Sequence, residues 1–333
     1  MDLKTTFLGI DLKNPFIVGS SPLTNSLDRV KRMEDAGAAA LVMHSLFEEQ
    51  IIHEADVAGF GDERLGKLLG EDQQVFPPAK DFPTSSEAYL KLIQRIKDTT
   101  DLPVFASLNG VSEGVWIEYA RRIEEAGADA LELNLYSLPT DNDDSSDFVE
   151  KRLVEIVDVT RNSVSIPIAV KISPHYTSVC NFAQRLEYAG ANGLVLFNQL
   201  FQPDIDYKRK RLISRLHYTQ PVELLERLRW VSILHNRLKM DIAASGGVHS
   251  GEDAYKAVLC GADVVQVVSP LLRHGVAVLQ TMIQDFEKLC EESGESSLCA
   301  LRGSLGELLE PDPSSVERAS YLRILQGWKP EQD

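Results

Sequence analysis

A three-residue phrase recurs along this 333-residue chain and narrows its fold more than any other feature. It reads Ala36-Gly37-Ala38, Ala126-Gly127-Ala128, Ala189-Gly190-Ala191 and Cys260-Gly261-Ala262. Each copy follows an amphipathic stretch with charged residues at helical spacing, such as WIEYARRIEEAG. Each precedes a nearly unbroken apolar run: AALVM, DALELN, NGLVLFN and DVVQVV. Glycine reaches the left-handed conformation that ends a helix, and small neighbours let the chain turn at once into a strand. Apolar runs without alternation belong to strands covered on both faces, as in parallel sheets.

Extending this punctuation along the chain gives eight strands: Phe16–Ser20, Ala39–Met43, Pro103–Leu108, Ala130–Asn134, Ile168–Ile172, Gly193–Asn198, Asp241–Ala244 and Val264–Val268. A helical segment follows each, at about 26–36, 86–98, 114–126, 147–163, 178–189, 220–237, 250–260 and 271–291. Eight alternations predict an α/β fold, a (β/α)₈ TIM barrel, as a single domain over residues 1–333. An open doubly wound sheet would carry a G-x-G-x-x-G turn, and the sequence has none. Two connections are longer than plain barrel loops, residues 44–85 after the second strand and 199–219 after the sixth. Both leave strand C-termini, the face where barrel enzymes carry out their chemistry. The tail, 293–333, is Ser- and Glu-rich, then helical near Ser314–Gln326, and is expected to pack on the barrel.

Composition excludes several functions. With 34 basic and 50 acidic side chains the net charge is −16, which disfavours a phosphate-backbone binder. The basic run Lys208-Arg209-Lys210-Arg211 lies between acidic stretches and reads as a solvated loop. Four dispersed cysteines without a C-x-x-C pair point to a reduced protein with no zinc or cluster site. No segment has the apolar length of a membrane span, and the N-terminus lacks the pattern of a secretion signal, so a cytoplasmic location is expected.

Polar residues stand at every strand end: Ser20-Ser21, His44-Ser45, Ser107 and Asn109, Asn134, Lys171, Asn198-Gln199, Ser245-Gly246-Gly247 and Ser269. One such residue would be an ordinary cap, whereas eight together describe a polar mouth. The doublet Gly246-Gly247 lets backbone N–H groups approach an anion, with a helix start just beyond, and Ser269 supplies a second loop. Phosphate is commonly held by these two loops in such barrels. Lys171 stands in PIAVKIS, where a barrel interior is otherwise apolar, so it needs either a partner or a chemical role. An ion pair with Glu132 is one explanation, and the anionic edge of a reduced flavin or a Schiff base is another.

These segments resemble the dihydroorotate dehydrogenases, FMN-dependent barrels of pyrimidine biosynthesis. The likeness runs from LGIDLKNPFIVGSSPLT through EAGADALELNL, PIAVKIS, GLVLFNQ and IAASGGVHSGEDAYKAVLCGADVVQVVS to Leu301-Arg302-Gly303. It implies that Ser20, Ser21, His44, Ser45, Asn134, Lys171, Phe197, Ser245, Gly246, Gly247, Val268 and Ser269 contact FMN, with Lys171 opposite the negative charge of the reduced ring. It also implies that Asn134, Asn198 and Gln199 contact substrate. His44 stands where the family usually has lysine, and the usual N-S-x-G-x-x-N substrate loop is replaced by an acidic, Pro-rich insertion. The catalytic loop, Asn134-Leu135-Tyr136-Ser137-Leu138-Pro139-Thr140, is one residue longer before its proline. Counting from Asn134 makes Ser137 the base, while counting back from Pro139 reaches Leu138; His44 and Tyr136 are alternative proton donors. The implied activity is oxidation of dihydroorotate to orotate, with hydride passing to the flavin. Alternatives are an FMN enzyme of another dihydropyrimidine or enone-like substrate, or a non-catalytic relative. Implied partners are a small-molecule substrate, a second copy in a homodimer and an electron-accepting protein, without nucleic acid, membrane or metal.

Overall fold

The structure, a computed structural model, describes residues 1–57, 84–110, 115–199, 202–213, 216–305 and 313–328. Most of the acidic, Pro-rich insertion, residues 58–83, lies outside these. Eight parallel strands close into a barrel: Phe16–Val18, Ala40–Phe47, Val104–Asn109, Ala130–Asn134, Ile168–Ile172, Gly193–Leu196, Asp241–Ser245 and Val264–Val267. The ring closes where the eighth strand pairs with the first, Val265 opposite Phe16 and Val267 opposite Val18. This is the (β/α)₈ TIM barrel expected from the repeated punctuation. At the junctions, Gly37, Gly127, Gly190 and Gly261 all have positive φ.

Strand alternation explains how the interior changes along the barrel axis. Side chains two residues apart on a strand share a face. At the base, Ile17, Ala40, Val42, Phe105, Ala130, Ala169, Val195, Ala243 and Val264 form one apolar cluster. Two residues further on, the same faces carry Ser107, Glu132, Lys171, Phe197, Ser245 and Gln266, all buried. The barrel thus passes from an apolar floor to a polar layer just below its C-terminal rim.

The floor has a plug that the sequence reading did not foresee. A hairpin of Thr5–Phe7 and Ile10–Leu12 inserts Phe7, Leu8 and Leu12 into the apolar cluster. Its turn places Leu8 at φ 57° and Gly9 at φ 74°, and the Leu8 N–H donates to Asp241 Oδ2 at 2.6 Å. That hydrogen bond secures the turn against the seventh strand despite a non-glycine residue at positive φ.

Three other elements differ from expectation. The second strand extends to Phe47, with a register shift between Val42 and Ser45 where it pairs with the third. A helix, Glu48–Val57, follows it directly. The helical segment after the eighth strand is two helices, Ser269–His274 and Val278–Glu292, separated at Gly275 with φ 83°. In the tail, Leu298 and Leu301 are buried and Arg302 pairs with Asp263 on the barrel. The later helix Pro313–Gly327 is exposed from Glu317 onward, and Glu317 meets Arg229 at 2.6 Å. Among the described residues no helix is long and apolar enough to cross a membrane.

Candidate active site

A cavity of about 390 Å³ opens at the C-terminal rim, within the size range of sites for cofactors and small molecules. Ser20 and Ser21 from the first strand line it, with Lys171 from the fifth and Phe197, Asn198 and Gln199 from the sixth. Ser245, Gly246, Gly247, Val268 and Ser269 complete the side formed by the seventh and eighth strands. Phe47 and the segment Leu216–Thr219 line it as well.

The glycine doublet has a steric basis. Gly246 and Gly247 have φ of 92° and 81°, which L residues rarely adopt. A Cβ on Gly247 would collide with the backbone of Leu224, and one on Gly246 would lie 3.2 Å from Arg227 Nη2. Arg227 is buried behind this loop. Its Nε donates to the Ser245 carbonyl at 3.1 Å, and its guanidinium carbon lies 5.8 Å from the Phe197 ring centroid. Burial holds the Arg227 pKa below its usual value. Opposite the doublet, Ser269 Oγ accepts from the Thr219 N–H at 3.0 Å and lies 2.8 Å from the Thr219 hydroxyl. His249 Nε2 lies 2.8 Å from the Thr219 carbonyl. Arg227 from behind and Thr219 from the cavity wall therefore brace the Gly246-Gly247 loop and the start of the Ser269 helix. Neither had a local sequence signal, since each reaches the site from the region between the sixth and seventh strands.

The helix after the glycine doublet is used differently from the sequence reading. Its cap, Ser250, accepts from the Asp253 N–H, and the Asp253 carboxylate accepts from the His249 N–H at 2.9 Å. Its positive end is matched by its own acidic residue, so the loop amides and the segment around Ser269 remain to meet a ligand's anion.

Below the cavity a buried polar cluster joins three strands. Lys171 Nζ donates to Gln266 Oε1 at 3.0 Å and lies 3.5 Å from Glu132 Oε1. Gln266 Nε2 donates to Glu132 Oε2 at 2.5 Å. The Lys171–Glu132 ion pair weighed from the sequence is present, and Lys171 lines the cavity as well. Gln266 is a polar residue at an inward position of the otherwise apolar run DVVQVV, and that polarity is its sequence signal.

On the opposite side of the rim the candidates are less closely gathered. Ser45 Oγ lies 3.3 Å from Ser20 Oγ and 2.8 Å from Ser107 Oγ, forming a hydroxyl chain inside the barrel. His44, within the register shift, packs edge-on against Tyr89 with ring centroids 4.9 Å apart and is not among the cavity-lining residues. Burial lowers its pKa to about 4, and its Nδ1 is buried with no hydrogen-bond partner among the described residues. Asn134 accepts from Asn198 Nδ2 at 2.7 Å, beside the cavity. Ser137 lines a neighbouring cavity of about 310 Å³ with Ser173, His175 and Tyr176. Asn109, buried at the end of the third strand and in register with Asn134, is a further amide at the rim.

These features fit FMN. The Ser21 hydroxyl is buried at the cavity wall and has no hydrogen-bond partner among the described residues, as a group awaiting a ligand would. The doublet turns at positive φ hard against Leu224 and Arg227 while lining the cavity with backbone alone, and Lys171 supplies a cation to the same cavity. Among the described residues no cluster could hold a metal ion.

The family model for dihydroorotate dehydrogenase matches residues 84–290. The chain is 25% identical to the NAD-dependent dihydropyrimidine dehydrogenase subunit PreA of Escherichia coli (strain K12), over 93% of this chain and 78% of that protein. It is 26% identical to the catalytic subunit of dihydroorotate dehydrogenase B (NAD(+)) of Thermoplasma volcanium, over 84% and 91% of the two chains. The same subunit of Methanocaldococcus jannaschii is 25% identical over 87% and 92%. With the barrel, the doublet at its seventh strand and a family match over most of its length, this chain belongs to the dihydroorotate dehydrogenase family, FMN oxidoreductases that act on CH–CH groups.

Proposed function

We propose that this protein oxidises the CH–CH bond of a dihydropyrimidine ring, with dihydroorotate, giving orotate, as the first substrate to test. The observation that carries the reading is the single cavity in which Lys171, the glycine doublet and Ser269 meet the amides of Asn198 and Gln199. FMN, when bound, supplies the two-electron acceptor. Ser20, Ser21, Ser245, Gly246, Gly247, Val268 and Ser269 would hold its ribityl phosphate and ring. Lys171 would place positive charge where the reduced ring is negative. Asn134 and Asn198 already hydrogen-bond each other at 2.7 Å and would pair with the ring's amide groups. Ser137, on the arch after the fourth strand, is our assignment for the proton; its cavity also holds the His175 imidazole, a proton acceptor that a weakly acidic hydroxyl needs. Electrons would then pass to a partner subunit or a soluble acceptor.

A specific observation favours a second substrate. Lys171 is the cation among the described cavity-lining side chains, and it is already engaged by Gln266 and Glu132. An uncharged dihydropyrimidine would need no further cation, whereas the dihydroorotate carboxylate would. Anaerobic mixing of the yellow protein separates the two. Bleaching of the flavin by dihydroorotate supports the first substrate, and bleaching by dihydrouracil or dihydrothymine alone supports the second. If no dihydropyrimidine bleaches it, both readings fall.

A further inference from the structure

In the barrel interior, Glu132, Lys171 and Gln266 project from three different strands into one buried cluster, and the glutamine stands between the two charges. Its amide is used at both ends, Nε2 donating to Glu132 and Oε1 accepting from Lys171 at 3.0 Å. Only one amide orientation satisfies a carboxylate on one side and an ammonium on the other. The direct Lys171–Glu132 separation of 3.5 Å is long for a charge-assisted hydrogen bond, which is normally about 2.7–2.9 Å. The ammonium's short contact is therefore with the neutral amide, and its counter-ion stands one step back.

The spacing has an electrostatic consequence. Both Lys171 and Gln266 line the cavity, while the carboxylate they share does not. A lysine has three N–H donors; one is given to Gln266 at 3.0 Å and the contact with Glu132 is long at 3.5 Å, so donor capacity is left for the cavity. Without the amide spacer, a buried ammonium and a buried carboxylate would close onto each other, because an unpaired charge in this interior is costly. Closure would draw the positive charge away from the cavity and neutralise it locally.

We propose that Gln266 is a positioning residue that keeps Lys171 from collapsing onto Glu132, and so sets how much positive charge the bound flavin meets. The inference rests on the FMN reading above and deepens it. It separates the spacer, Gln266, from the counter-ion, Glu132, and assigns them opposite effects on the flavin.

The test is the midpoint potential of FMN on the intact protein, measured by anaerobic dye-equilibrated titration, together with the dissociation constant for oxidised FMN. Gln266→Met, similar in volume but unable to bridge, should lower the affinity ratio of reduced to oxidised FMN about tenfold, equivalent to a fall of about 30 mV for a two-electron couple. Glu132→Gln should shift the ratio in the opposite direction. In the Glu132→Gln background, Gln266→Met should change the ratio less than about threefold, because no carboxylate remains to collapse onto. If Gln266→Met does not fold, Gln266→Asn, too short to reach both partners, should give the same sign.

Loss of positioning alone predicts this sign pattern. A shift of equal size in both backgrounds would mean that Gln266 acts only as packing, and would overturn the proposal. An unchanged potential in the single variants would also overturn it, while FMN bound with wild-type affinity would leave the cofactor reading standing. Failure of the wild-type protein to bind FMN would overturn both.

Discussion

Strands five to eight end in Lys171, Asn198, Ser245-Gly246-Gly247 and Ser269, and all of these line one cavity. Strands two to four carry His44-Ser45, Asn109 and Asn134 towards the rim, and on that side only Phe47, the last residue of strand two, reaches the same cavity among the described residues. The side formed by strands five to eight is braced by Arg227, Thr219 and His249. The side formed by strands two to four contains a register shift in the second strand, and the loop we propose as catalytic leaves the fourth. The contrast follows the demands on each half. A phosphate and a flavin ring require fixed donors and close backbone approach, so that half has little room to vary. On the function proposed above, the side formed by strands two to four would be the substrate half, which can be rebuilt while the cofactor stays in place.

The largest effect expected lies in the cofactor half. Gly247→Ala forces a Cβ into the Leu224 backbone at a φ of 81°. Strain and overpacking together should cost roughly 2–5 kcal/mol and weaken FMN retention at least ~10²-fold. Gly294 has a similar φ of 77° with nothing near its Cβ position, so Gly294→Ala should cost only the backbone term, about 1 kcal/mol, and leave FMN bound. Urea unfolding and FMN dissociation constants check both. Equal behaviour of the two variants would mean that the doublet is no tighter than an ordinary turn.

The second test addresses the substrate half. Ser137→Ala should slow anaerobic flavin reduction by at least ~10²-fold, the lower end of general-base effects, with FMN retained. His44→Phe should change that rate by less than about tenfold, because the imidazole packs on Tyr89 and stays uncharged. Stopped-flow absorbance reads both variants. The reverse ranking would assign the proton to His44 and mean that the second strand's register shift brings a catalytic group to the substrate.

Much of the cofactor half could be read from the sequence, and the reason is local. The Ala-Gly-Ala punctuation marks each helix-to-strand junction, and a glycine doublet ahead of a helix start is itself a backbone statement. The substrate half depends on features without a local signature. No residue pattern announces the shift between Val42 and Ser45, yet it sends Ser45 into the barrel and His44 against Tyr89. The same holds for the plug, where Leu8 adopts positive φ because Asp241, 233 residues away, accepts its N–H. Gln266 is intermediate: its polarity inside an apolar run was visible, but its partners on two other strands were not.

His44 also gives the comparison a pH signature. Burial lowers its folded-state pKa from 6.5 to about 4, so the uncharged ring is the form compatible with the fold. A depressed histidine pKa leaves stability intact above the unfolded value and removes it as pH falls from 6.5 towards 4. The loss between pH 7 and pH 5 from this group is about 2 kcal/mol. Urea midpoints at the two pH values should show that loss in the wild type and a smaller one in His44→Phe. An identical acid dependence in the two proteins would mean that His44 is more open to solvent than its packing indicates.

The smallest effect belongs to the seam between the halves. Ser45 Oγ links Ser20 on the cofactor side, at 3.3 Å, to Ser107 on the substrate side, at 2.8 Å. Ser45→Ala removes the middle hydroxyl and leaves the buried Ser107 hydroxyl without that partner, at a cost of about 1 kcal/mol. Ser20 lines the cavity and keeps its place in the chain through the adjacent strand, so FMN affinity should fall by less than about fivefold. Calorimetric unfolding and fluorescence titration with FMN read the two quantities separately. A large loss of FMN with unchanged stability would make Ser45 a direct flavin contact, and the boundary between the halves would then run between Ser45 and Ser107 rather than through Ser45.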